Sequence, residues 1–172
     1  MRRALVFLPL LGCATHLSLT AAPTVDGTGH VGSEGRLEGA AAVGTPTVRF
    51  YTSLAAGYGY LGALRTGYLT SSLEAGVEGG TVWSWSFGGF GGPRHLTNAG
   101  FTAFGGGVAG QLLYRVAATH TEHGAYRVGA RLSLEGLYGD RIESALDRPG
   151  LVVLQLAFVL RWTTFDTTGA HF

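Results

Sequence analysis

From Val48 onward the chain alternates between apolar and polar residues with a period of two, and within the alternating stretches every charged residue falls on one parity. Val48, Phe50, Leu54, Ala56, Tyr58 and Tyr60 oppose Arg49, Tyr51, Ser53 and Gly57. Leu69, Leu73, Ala75 and Val77 oppose Thr70, Ser72, Glu74 and Glu78. Trp83, Trp85 and Phe87 alternate with serine and glycine, and Phe104, Val108, Leu112 and Tyr114 oppose Gly105, Gly107, Gln111 and Arg115. Tyr126, Val128, Ala130, Leu132, Leu134 and Tyr138 oppose Arg127, Arg131, Ser133 and Glu135, and Val152 to Trp162 repeat the pattern around Gln155 and Arg161. Side chains of a strand point alternately to its two faces, so this is the signature of β-structure. Polar, turn-like segments separate the stretches, and none has a convincing helical period.

Alternation alone fits a soluble sandwich with an apolar inner face. Three features favour the opposite polarity. Several stretches run ten residues or more, beyond the usual ~5–6 of globular strands but right for a tilted membrane strand. The charged parity is also rich in glycine, alanine and serine, which suits a narrow, filled lumen. Aromatic residues sit at the ends of the apolar parity, as Tyr126 and Tyr138 do, in the manner of interface girdles. Composition agrees: charged residues are 13%, against about 25% in soluble proteins, and glycine fills 29 of 172 positions. All 12 basic residues are arginine, and the net charge of +1 offers no field for nucleic acid.

With this patterning, residues 47–165 resemble the small bacterial outer-membrane β-barrels. The resemblance implies an all-β, antiparallel up-and-down membrane barrel of eight strands. It implies a lumen-facing set of Arg49, Glu74, Glu78, Arg115, Arg127, Arg131, Glu135 and Arg161. It also implies outer-membrane lipid, lipopolysaccharide and the barrel assembly machinery as partners. Six strands are visible in the alternation, and such barrels have an even number from eight upward. Two more must come from residues 24–43 or from splitting longer stretches. Residues 23–46 are rich in Gly, Ala and Thr without a sustained period, and read as a linker or as weak strands. Residues 166–172 read as a tail.

Residues 1–22 read as an export signal, with Arg2 and Arg3 ahead of a short apolar core. Leu10-Leu11-Gly12-Cys13 resembles a bacterial lipobox, which would end the signal at residue 12 and acylate Cys13. The competing reading cleaves near Ala22. A single cysteine excludes an internal disulfide framework.

Motifs with chemical content are few. Gly57-Gly59-Gly62 and Gly105-Gly107-Gly110 match a dinucleotide-loop spacing, but no helical pattern follows either to meet a phosphate. Glycines spaced by two on one strand face instead relieve crowding inside a tight barrel. His120, Glu122 and His123 read as a solvated loop, and neither a metal nor a cofactor is implied. The segment around His95 and Thr97 resembles the H-x-S-N motif of outer-membrane lipid A deacylases. By position His95 would be the base and Thr97 the nucleophile, with Glu122 the nearest suitable downstream acid. Thr stands where that family has Ser, and an ordinary polar loop after Pro93 is the favoured reading. The expected role is structural, adhesive or that of a narrow pore. The alternatives are a soluble β-barrel or sandwich lipoprotein that is tethered through Cys13 and binds a ligand, and a lipid A deacylase-like barrel enzyme.

Overall fold

A computed structural model describes residues 12–45, 47–98, 100–118 and 124–166. Eight strands follow one another: β1 (Gly12–Asp26), β2 (Val31–Gly44), β3 (Val48–Leu61), β4 (Thr66–Gly79), β5 (Trp83–Leu96), β6 (Phe101–Ala118), β7 (Ala125–Tyr138) and β8 (Leu151–Asp166). Each pairs antiparallel with its successor, and β8 closes on β1, giving a closed up-and-down barrel. A short helix, α1 (Asp140–Leu146), sits in the β7–β8 connection. It shares its end of the barrel with the β1–β2, β3–β4 and β5–β6 turns.

The two faces have the polarity anticipated from the alternation, Arg115 excepted. Phe50, Leu54 and Phe158 point outward at 74%, 70% and 61% exposure, whereas Glu74, Arg94 and Arg131 are 1%, 1% and 3% exposed inside. A soluble barrel would reverse this arrangement, because burying apolar surface is what holds it together. An apolar outer wall around a charged interior is what a hydrocarbon surrounding demands. Trp83, Trp85, Tyr114, Tyr126 and Trp162 ring the outer surface at the end away from α1, and Tyr58, Tyr60 and Tyr138 stand toward α1. The Trp83 and Tyr114 rings pack with centroids 4.9 Å apart.

The six strands legible in the alternation are β3 to β8, and the missing two are β1 and β2. Residues 31–44 are therefore strand rather than linker, paired along their length to β1 and along most of it to β3. β1 starts at Gly12, within the stretch read as the export signal. Loss of residues up to Ala22 would strip most of β1 and leave β2 and β8 as unpaired edges. A signal ending at residue 12 would remove only the strand's first residue. Arg94 and His95, read as a loop after Pro93, belong to β5, which runs to Leu96. Residues 1–11, His120, Glu122, His123 and residues 167–172 lie outside the described residues.

Two prolines interrupt the wall. Pro23 and Pro93 both face outward, and each sits three residues from the α1 end of its strand. Proline has no N–H for the ladder. Pairing of β1 with β8 accordingly passes from Ala21↔Phe158 to Thr24↔Gln155, and pairing of β4 with β5 passes from Thr70↔Arg94 to Leu73↔Gly91. On the other side of each proline the ladder is intact, at Pro23↔Ser33 and Pro93↔Phe104.

Candidate functional site: the lumen

The chemistry of this chain is concentrated inside the barrel. On β7, Arg127, Arg131 and Glu135 recur every fourth residue, with Gly129 and Ser133 between them on the same face. Glu74 and Glu78 have the same spacing on β4. Long charged side chains thus alternate with small ones, and the small ones leave room for chains from opposite strands. A Cβ at Gly105 would collide with the Glu135 carboxylate, and one at Gly59 with the Tyr68 ring. Both positions belong to the glycine triplets, which serve packing here.

Glu74 is the hub of the middle layer. Its carboxylate accepts hydrogen bonds from Tyr51 Oη at 2.5 Å and from Arg131 Nη1 and Nη2 at 3.2 and 2.5 Å. Arg36 Nη2 stands 3.6 Å away. Arg36 and Arg131 both lie over the Phe90 ring, each 5.8 Å from its centroid. This group crosses the lumen from β2, β3, β4, β5 and β7. Charges taken out of water need partners, and here the geometry supplies them.

Toward α1 the lumen changes character. Arg94 pairs with Glu135 at 2.6 Å, and Tyr68 Oη donates to Glu34 at 2.6 Å. Beyond that level the interior is apolar: Leu61, Leu96, Leu137, Leu151 and Val153 pack with Ile142 of α1, which is fully buried. Ala63, Leu64, Phe101 and Leu146 close over them. The rim is held by Asp26, whose carboxylate accepts backbone N–H bonds from Thr28, His30 and Ala63 at 3.0, 3.1 and 3.1 Å. That ties the β1–β2 turn to the β3–β4 turn.

At the other end Glu78 is the hub. His16 Nε2 lies 2.9 Å from it, Arg161 Nη1 3.3 Å and Arg49 Nη1 3.8 Å. Arg161 also donates to Ser18 Oγ and Gln111 Oε1, both at 3.2 Å. Thr163 Oγ1 receives Arg127 Nη1 at 2.7 Å and lies 3.1 Å from His16 Nδ1. Glu78, His16 and Thr163 therefore stand in the carboxylate–imidazole–hydroxyl order of a nucleophilic triad. Thr163, however, is 0% exposed, so its hydroxyl is closed to a substrate.

Of the eight lumen candidates read from the sequence, Arg49, Glu74, Glu78, Arg127, Arg131, Glu135 and Arg161 are buried in the interior. Arg115 is exposed, beside a register shift between Arg115 and Ala117 where β6 runs to the rim. The interior also holds His16, Glu34, Arg36, Glu38 and Arg94, which sequence reasoning missed. The signal was present in Glu34-Gly35-Arg36-Leu37-Glu38, a charged parity with Leu37 as its one large apolar neighbour in the segment. His95 is exposed with Nδ1 3.2 Å from Thr102 Oγ1, while Thr97 Oγ1 donates to the Gly67 carbonyl at 3.0 Å. Each has a partner other than its proposed catalytic mate. The side chain of Cys13 lies outside the described residues, and among those described no group of His, Cys, Asp and Glu is arranged to hold a metal.

No protein-family model matches the chain, and no curated protein matches it. Among solved structures it is similar to a chain from a study entitled "De novo design of transmembrane beta-barrels", at 14% identity and a TM-score of 0.37, over 86% of this chain and 94% of that one.

Proposed function

We propose that the protein is an outer-membrane β-barrel with a filled lumen and a structural role, not a conducting one. The observation that carries this reading is the occupation of the lumen: a Phe90–arginine–Glu74 layer in the middle, an apolar plug under α1, and a Glu78 cluster at the far end. An open pore needs a continuous water-filled path, and a cross-section tied across five strands by ion pairs, a tyrosine hydrogen bond and cation–π contacts opposes one. The apolar outer wall and its aromatic rings support residence in lipid, with outer-membrane lipid and lipopolysaccharide as surroundings. The outward row Phe158, Leu160 and Trp162 on the closing strand fits recognition by the barrel assembly machinery. A signal that ends at residue 12, with acylation of Cys13, is the form of export compatible with β1.

Two measurements test this. Carbonate-washed membranes containing the protein are treated with protease, and the purified protein is added to planar bilayers. Retention of the body in the membrane with no unit conductance is expected. Release of a folded body by cleavage near the N-terminus points to a tethered soluble lipoprotein, and stable conductance steps would replace the filled barrel by a pore. Intact-mass analysis addresses the leader: a lipid-modified Cys13 terminus is expected, and a free terminus near Ala22 refutes it.

A further inference from the structure

The connections at the α1 end are unequal. Residues 27–30, 62–65 and 97–100 make tight turns, whereas residues 139–150 carry α1 over the mouth of the barrel. The first two turns are tied together by the Asp26 carboxylate. α1 has no such tie. Among the described residues, the hydrogen bonds of residues 140–146 stay within their own connection: Ile142 and Glu143 donate N–H to the Gly139 carbonyl, and Ser144 Oγ donates to the Asp140 carbonyl. The helix is held to the barrel by the apolar side chains of Ile142 and Leu146, with Arg141 over the Phe101 ring at 5.7 Å.

Seven residues are too few for a helix to persist in water without packing. No side-chain hydrogen bond caps its N-terminus, and its last turn holds no basic residue. At each end the chain turns at one residue in an uncommon backbone region, Gly139 at φ 155° and Asp147 at φ 52°. The helix is thus weak in itself, hinged at both ends and seated on two side chains. We propose that α1 is a lid: it undocks and melts while the barrel stays closed, and so opens the apolar mouth of the lumen to the medium. Mobile lids are drawn from the low-stability end of a structure. Leu61, Leu96, Leu137, Leu151 and Val153 are what this one uncovers, and reburial of their surface draws it shut again. The opened mouth is blind. Below it the Arg94–Glu135 pair and the Glu74 layer close the lumen through contacts in which α1 takes no part.

The test uses the full chain folded in detergent. Hydrogen exchange read by mass spectrometry should show the amides of residues 142–146 exchanging roughly 100-fold faster than those of β7 and β8 beside them. Leu96→Cys places a thiol under the lid, at a fully buried position. A water-soluble maleimide should label it in the folded protein. Ser144→Pro, which breaks the helix, should speed that labelling by roughly tenfold with the heat-modifiable gel band retained. Peptide mapping separates this label from any on Cys13. A thiol that stays unreactive until urea unfolds the barrel, with or without Ser144→Pro, overturns the lid. So does loss of the folded band in Ser144→Pro, because the helix is then part of the barrel's own structure. If Leu96→Cys does not fold, exchange in the native chain decides, and equal rates in α1 and the strands overturn the proposal. Conduction in bilayers would remove the filled lumen and leave these readouts standing, so the two readings fail separately.

Discussion

The two ends of the lumen close the same barrel by opposite means. Under α1 the closure is dry: Ile142, Leu96 and Leu137 are almost fully buried and touch other apolar groups. At the far end, and through the middle layer, closure is ionic, with two glutamates each gathering cationic and polar partners. The difference lies in how each tolerates damage. Apolar packing loses stability in proportion to the volume removed. An ionic cluster is all-or-nothing, because deleting one member strands the rest as buried, unpaired charge.

The largest effect should therefore come from Glu74→Ala, which strands Arg36, Arg131 and Tyr51. A loss of about 3–5 kcal/mol is expected in urea unfolding in detergent. Replacing the pair together, Glu74→Leu with Arg131→Leu, should restore much of that. A double variant as damaged as the single would place the cost on Arg36 and Tyr51, which both variants strand. Ile142→Ala comes next, at about 2–5 kcal/mol, because the apolar closure is left with a hole. An unchanged midpoint would show that α1 does not seal that end.

Leu132 carries the same comparison to the outer wall. Leu132→Arg should cost about 2–4 kcal/mol at mid-membrane depth. Leu132→Ala should cost well under that, since lipid fills the space that a protein core would leave empty. Heat-modifiable gel mobility reads both. An alanine variant as damaged as the arginine one would make the outer face a protein interface. The smallest effect is expected from Pro23→Val, which restores one missing ladder donor and should stabilise by about 1 kcal/mol. Destabilisation instead would mean that the proline's fixed backbone angle is needed there.

The wall of β3 to β8 was legible in the sequence because large outward residues, such as Phe50, Leu73, Leu132 and Phe158, mark every other position. β1 and β2 escaped for the opposite reason. Their outward parity includes Thr15, Ala21, Pro23, Ser33, Gly35, Gly39 and Ala41, which give the alternation no contrast in size or polarity. Arg94 was hidden by Pro93, since proline reads as a loop unless its missing donor is known to fall at an interrupted ladder position. α1 anchors itself through little more than Ile142 and Leu146, too few residues to display a helical period. The pairings at Glu74 and Glu78 draw on strands far apart in sequence, and spacing along one strand cannot say which strand faces it across a closed ring.

The prolines divide that ring in a way its symmetry conceals. The seams they weaken, β1 with β8 and β4 with β5, lie diametrically opposite and at one depth. Each is a zipper with a tooth missing. Between them stand two half-shells, β1–β4 and β5–β8, each free of such a gap. A wall stretched around its girth yields first where its stitching is thinnest. Amide exchange beside Pro23 and Pro93 should therefore run ahead of exchange at equal depth between β2 and β3. Inside, the Glu74–Arg131 and Glu78–Arg161 pairs join one half-shell to the other, so the ion pairs act as cross-ties over the two thin lines of the cylinder.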